Sequence, residues 1–260
     1  MNLPLTLPEF LKWYQELSKL KIFWAKHFSR LLEVCERNSY LMLRVKWLVR
    51  GKPREGLLVA LRDPSQLTSL LEEPLLSHYE LIHLLIDEEA PLPLPPYCAV
   101  NAHSILYFWH LDQLHLLEPN RQVDVELHED WNSSVEEQLR RVQKQSWGFY
   151  IPPRAGDHLV LLAKLNGEVV GSTYFNVNNA NLDYGVHVVR SHWRKRIGTR
   201  LLHEAAQQAK ARGFSYFSVV RVLRRVDGTS SDRRALSFYR ANNPSVRLKV
   251  LRLVLKALRY

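Results

Sequence analysis

Four cations surround one glycine in the stretch HWRKRIGTRLLHEAAQQAKARGF: Arg194, Lys195, Arg196 and Arg200 flank Gly198. A helix is predicted to start in that stretch, because Ile197, Leu201, Leu202, Ala205, Ala206 and Ala209 fall on one face at helical spacing and Gly213 supplies a stop. A cation at a helix start opposes the positive end of the dipole, each at roughly 0.3–1 kcal/mol. The arrangement becomes favourable when an anion occupies the site. The unbonded amides of Arg196, Ile197, Gly198 and Thr199 and the neighbouring guanidinium groups suit a phosphate or pyrophosphate. The alternative is a solvated basic face.

These residues must be held by a surrounding fold. The chain has 260 residues, of which 46% are hydrophobic and 24% charged, enough for one large domain or two smaller ones. No basic leader precedes an apolar run and no uncharged apolar stretch is long enough to span a bilayer, so the expectation is a cytoplasmic protein without a membrane segment. Cys35 and Cys98 lack metal-ligand spacing, and neither a disulfide framework nor a structural metal site is expected. The net charge of +10 favours a polyanionic partner: a nucleic acid, an acidic protein or a phosphate-bearing cofactor.

Glycine use divides the chain, since only Gly51 and Gly56 precede residue 148. The Pro8–Asn38 segment reads as two helices, the first from Phe10, Trp13, Leu17 and Leu20, the second from Trp24, Phe28, Leu31 and Cys35. Strands at 40–49 and 56–62 flank RGKPREG as a hairpin, followed by a helix near 65–73 and strands at 79–87 and 98–111. The boundary is read at LEPNRQ, 117–122, giving domains 1–119 and 120–260. Beyond it the order is strand 123–128, helix 132–146, strands 158–165, 169–177 and 182–189, the cationic helix, strand 214–222 and helix 231–242. Asn166-Gly167 is a two-residue hairpin turn. The tail from Val246 mixes both periods and is read as beginning with a strand. The fold class is α/β.

The segment VRSHWRKRIGTRLL, from Val189 through Trp193, Arg194 and Gly198 to Leu202, resembles the phosphate-loop motif of the GNAT superfamily of N-acetyltransferases. Ser191 stands where the family has proline, Arg196 stands near its first glycine, and the loop is one residue short. DRRALSFYRANNP is similar to a second family motif, with Asp232, Ala235, Phe238 and Tyr239 in register and Asn243 and Pro244 replacing Gly and Phe. The resemblance covers about residues 121–260. It implies a mixed, mostly antiparallel sheet flanked by helices, and the element order of residues 1–119 would suit a degenerate copy of that fold.

The resemblance also implies an activity: transfer of an acetyl or other acyl group from acetyl-CoA to an amine of a small molecule or protein, with no metal. Val188, Val189, Arg194, Lys195, Arg196, Ile197, Gly198, Thr199 and Asp232 are the implied cofactor-binding positions. Tyr239 is the implied acid for the departing thiolate, the alternative being an aromatic anchor. His187 has a suitable intrinsic pKa for a base, Asp183 lies further back, and Gly185 stands near a frequent catalytic glutamate. Two other readings stay open: a non-catalytic acyl-CoA-binding or regulatory protein, and a basic nucleic-acid-binding module without a recognised signature. A homodimer is compatible with all three.

Overall fold

A computed structural model of the chain describes residues 3–20, 28–49, 52–72, 78–79, 81–91, 94–223 and 229–255. The chain divides into two compact units, one of residues 1–106, 222–234 and 246–260, the other of residues 107–221 and 235–245. This differs from a single cut at 119, because the terminal strand returns to the first unit.

The first unit opens with helix α1 (Leu7–Ser18), which buries Phe10, Trp13, Tyr14 and Leu17. The Glu9 carboxylate closes its start by accepting from the N–H and hydroxyl of Thr6. Strands β1 (Phe28–Glu36), β2 (Tyr40–Val49) and β3 (Lys52–Leu61) follow as an antiparallel meander. The second expected helix is therefore corrected: Leu31 and Cys35 belong to β1, paired across from Val45 and Met42, while Trp24 lies outside the described residues. The hairpin turn is also shorter than expected, since Lys52–Glu55 already pair with β2 and only positions 50–51, outside the described residues, remain.

Helix α2 (Leu67–Leu71) is short, and β4 (Ile82–Asp87) runs parallel to β3. Strand β5 (Cys98–His110) comes next, and β11 (Val246–Leu255) pairs antiparallel with β4, as the alternation in the tail predicted. Within the unit the strand order is β1-β2-β3-β4-β11-β5. Its core gathers Leu57, Val59, Leu67, Leu70, Leu84 and Leu253.

In the second unit β6 (Val123–His128), β7 (His158–Leu165), β8 (Glu168–Asn176) and β9 (Leu182–Val188) form an antiparallel sheet in that order. Asn166 and Gly167 take φ of 53° and 81° between β7 and β8, as a two-residue hairpin requires. The run from Leu159 to Ala163 within β7 is apolar and buried because both faces are covered. Val160 and Leu162 pack with Val135, Leu139 and Val142 of helix α3 (Ser133–Trp147). Ala163 faces the other way, beside Gly171 and Ile197 at the start of helix α4 (Ile197–Ala211). Strand β10 (Tyr216–Val222) and helix α5 (Ser230–Ala241) complete the element order. The Trp109 indole anchors the end of α5 by donating to the Asn242 carbonyl at 2.7 Å, and its ring stacks on Phe217.

Candidate active site

Strands β9 and β10 touch at one parallel bridge, Asn181 to Ser218, where the Ser218 N–H donates to the Ala180 carbonyl at 2.9 Å. Beyond it β9 is the edge of its four-stranded sheet. Its residues alternate in direction: the Val189 N–H turns inward to the Val170 carbonyl, so the polar backbone groups of Val186 and Val188 face outward. This open edge is the backbone of the site.

A bulge shapes the edge. Ser172 pairs with His187 and Tyr174 with Asp183, so two steps on β8 oppose four on β9. Tyr184 and Gly185 absorb the excess at φ of 65° and 81°. Gly185 is required twice over, because a Cβ there would also lie 2.7 Å from the Tyr239 hydroxyl. The strand is pinned just before the bulge: the buried Asp183 carboxylate accepts from Asn181 at 2.7 Å, from His158 Nε2 at 2.8 Å and from Asn176 at 3.0 Å. Arg154 is its ion-pair partner at 3.4 Å. With those partners, Asp183 holds the strand in place and leaves base chemistry to another group.

Tyr239 reaches the bulge from α5. Its hydroxyl accepts the Val186 N–H at 3.1 Å, which leaves its own hydrogen to donate elsewhere. Burial pushes the hydroxyl's pKa up, while the Val186 hydrogen bond and the field of Arg221 oppose that shift. The Tyr107 ring lies 5.4 Å from the Tyr239 ring.

The edge runs into the cationic loop. Arg194 and Arg196 both adopt the left-handed conformation, at φ of 62° and 54°, a position where glycine is the usual choice. The first α4 hydrogen bond is donated by Arg200 to the Arg196 carbonyl. The amides of Ile197, Gly198 and Thr199 are thus outside the helical ladder, and no side chain caps them.

The four cations divide by role. Arg196 donates to the Glu118 carbonyl at 3.1 Å and Arg200 to the Val123 carbonyl at 3.3 Å, while Asn120 donates to the Lys195 carbonyl at 3.0 Å. The 117–123 connection is thereby fixed against the loop. The side chains of Arg194 and Lys195 are exposed and available.

Gly198 is explained by packing: a Cβ there would lie 2.8 Å from the Phe238 ring and 3.5 Å from Val186 Cγ1. Val189 is spent on the sheet ladder, so Val186 takes its place among the edge groups. Asp232 serves the start of α5, where its carboxylate accepts from the Thr229 N–H at 2.9 Å and hydroxyl at 2.7 Å.

The loop motif includes Trp193 but gave it no binding role. Its indole N–H donates to the Val188 carbonyl at 2.8 Å, occupying one of the outward edge groups. His187 points to the opposite face from Val186, with its ring 4.5 Å from that of Trp147. Burial pushes its pKa down to about 4; a bond to the Tyr184 carbonyl opposes this and Arg221 adds to it. His187 is therefore a neutral imidazole.

Among the described residues no group of three or more His, Cys, Asp or Glu could hold a metal, and no helix is long and apolar enough to cross a membrane. A bulged, open strand edge leads into an uncapped helix start, a geometry that suits an extended ligand with an anionic end. Residues 121–242 match the model of the acetyltransferase (GNAT) family.

No curated protein matches the sequence significantly. Among solved structures, a conserved protein of unknown function from Staphylococcus epidermidis ATCC 12228 is 14% identical over 92% of this chain and 99% of its own, at a TM-score of 0.48. A GCN5-related N-acetyltransferase from Kribbella flavida is 14% identical over 95% of each chain, at 0.46. An aminoglycoside acetyltransferase from an uncultured soil metagenomic sample is 21% identical over 50% of this chain and 92% of its own, at 0.38.

Proposed function

We propose that the second unit transfers an acyl group from acetyl-CoA, or another acyl-CoA, to an amine. The observation that carries this reading is the continuous line from the Tyr239 hydroxyl through the Val186 N–H and along the open edge of β9 to the uncapped start of α4. The residues fit the co-substrate. Val186 and Val188 offer strand-like pairing to an amide-bearing arm, while the amides of Ile197 to Thr199, with Arg194 and Lys195, offer donors and charge to a pyrophosphate.

When bound, the co-substrate supplies an activated thioester. The Val186 N–H polarises the thioester carbonyl, exchanging its bond to Tyr239 for one to the carbonyl oxygen. His187 Nε2 takes a proton from the attacking nitrogen as the carbon–nitrogen bond forms, and Tyr239 gives its proton to sulfur as the carbon–sulfur bond breaks. His187 releases its proton to solvent and Tyr239 regains one, so the products are an amide and a free thiol.

The test is calorimetric and thermal. CoA and acetyl-CoA should bind and raise the melting temperature by mass action, about 2.7 kcal/mol of stabilisation at a hundredfold excess over Kd. No binding up to millimolar ligand overturns the reading. Tight binding with no thiol release across a wide amine panel favours a binding or regulatory protein instead.

A further inference from the structure

Three buried polar atoms without partners gather on the α3 side of β9. They are Nε2 of His187, Oγ of Ser172 and Nε1 of Trp147. Ser172 is the cross-strand partner of His187, and the Trp147 ring lies against the imidazole. A buried polar group left unpaired has lost its water without replacement. Its neighbour Asp183, equally buried, has a full set of donors. Three such unpaired atoms on adjoining side chains therefore point to a group supplied from outside.

The chemistry of that group follows from the atoms. The Nδ1–H of His187 serves the Tyr184 carbonyl, so Nε2 presents a lone pair and asks for a donor. Trp147 Nε1 can only donate, and Ser172 Oγ can do either. The charged group acting on the imidazole is Arg221. The carboxylate of Glu136 acts on Tyr150 and is paired with Arg140 at 2.9 Å. Asp183 and Glu136 are thus engaged elsewhere, and a cationic ammonium would enter a desolvated patch beside a guanidinium of like charge.

The walls are aromatic. Phe149 is 45% exposed and stacks on Trp147 with centroids 4.2 Å apart, so a ladder of planar rings runs from the surface to His187. Such a ladder accepts a flat apolar body.

Resting on the acyl-transfer reading, we propose that this patch is the acceptor pocket and that the acceptor is an arylamine, its ring against Phe149 and Trp147 and its uncharged amine N–H donated to His187 Nε2. The amine nitrogen is then already in its nucleophilic form, and the proton it loses on acylation passes to Nε2.

The test uses the full chain. CoA binding is measured first by calorimetry, which judges the acyl-transfer reading by itself. Thiol release from acetyl-CoA is then followed with p-anisidine and with spermidine, and the ring nitrogen signals of His187 are followed by NMR as p-anisidine is added, with His187→Gln for assignment.

The expected result is a kcat/KM at least about tenfold higher for p-anisidine, lowered about 2- to 12-fold in Phe149→Ala with unchanged CoA affinity, and a shift of the Nε2 signal. Equal or preferred use of spermidine, or indifference to Phe149→Ala, overturns the proposal. An unmoved Nε2 signal also overturns it and assigns the three atoms to buried water. Should CoA not bind, the acyl-transfer reading falls and the NMR titration alone decides whether the pocket takes an arylamine.

Discussion

Both units contain the step strand, helix, parallel strand, yet the step closes in one and opens in the other. In the first unit β3 and β4 zip together from Leu57 and Ile82 to Ala60 and Leu85, and the five-residue α2 lies beyond a turn in which the Asp63 carboxylate accepts the Ser65 N–H. In the second, β9 and β10 meet at one bridge, and the fifteen-residue α4 starts with no cap among exposed cations. The first arrangement satisfies itself. The second leaves strand groups and helix amides for something outside the chain.

The sharpest way to break this comparison is at Tyr239, which reaches the opened edge. Tyr239→Phe keeps the ring against Tyr107 and Trp109 and removes the hydroxyl alone. Turnover should fall about 10² to 10⁴-fold with CoA affinity near the parent value. A parent-like kcat, with chemistry verified as rate-limiting, makes Tyr239 an anchor.

Next in size is reversal of the two available cations. Arg194→Glu with Lys195→Glu should weaken CoA binding by about 10²-fold, taking about one decade for each lost charge-assisted contact. The parent affinity should fall with added salt and the variant's should change less. Unaltered affinity would place the pyrophosphate elsewhere and leave the uncapped start of α4 unexplained.

How much of this was legible in the sequence depends on how local the cause is. Helix α4 was legible because its apolar stripe is continuous and its end is built from neighbours, with Gly213 and Phe214 donating to the Lys210 and Ala209 carbonyls. Asn243, standing where the family motif has glycine, adopts the left-handed turn at φ 49°. Strand β1 was misread because Phe28, Leu31 and Cys35 do fall at helical spacing, and pairing with β2 overrides that local pattern.

The bulge was illegible for a similar reason. Tyr184 is held left-handed by a register set elsewhere, and Asp183 is fixed in part by Arg154 and His158, which lie 29 and 25 residues away in sequence. The cationic loop carried the chemistry but not the division of labour, since the carbonyls that Arg196 and Arg200 bond, those of Glu118 and Val123, lie more than seventy residues away.

A pH series compares the units directly, because each buries a neutral imidazole beside a tryptophan. His83 lies against Trp47 and is pushed by burial down to about 3; His187 lies against Trp147 and is pushed to about 4. The unfolded chain takes up protons below about pH 6.5 whereas the folded imidazoles do not. Their full stability is therefore present above that pH and declines as the pH falls toward about 4 and 3, by up to about 1.4 kcal/mol per pH unit for each.

Urea titrations at pH 7, 6 and 5 should show the decline, with His83→Gln and His187→Gln each removing a share. The carboxylates of Glu126 and Asp63, whose pKa values are lowered by hydrogen bonds from Lys164 and Ser65, act below this window. A flat profile would mean that the fold accepts charged imidazoles.

The smallest expected effect tests whether the open edge is partly covered by the chain itself. The Trp193 indole N–H occupies the Val188 carbonyl from a side chain 38% exposed, in a loop turned back by left-handed Arg194 and Arg196. An amide N–H of an incoming arm would need that carbonyl, so binding must displace the indole. Trp193→Phe keeps a ring but deletes the donor, and the carbonyl then faces water until the ligand arrives. A net hydrogen bond of this kind contributes about 0.5–1.5 kcal/mol, so CoA should bind the variant about 2- to 12-fold more tightly. Calorimetry at constant salt measures this, and loss of an indole fluorescence change on CoA addition would accompany it. Weaker binding in Trp193→Phe reverses the assignment: the indole would then be part of the ligand's own contact surface, and the Val188 carbonyl would be satisfied by the chain in both states.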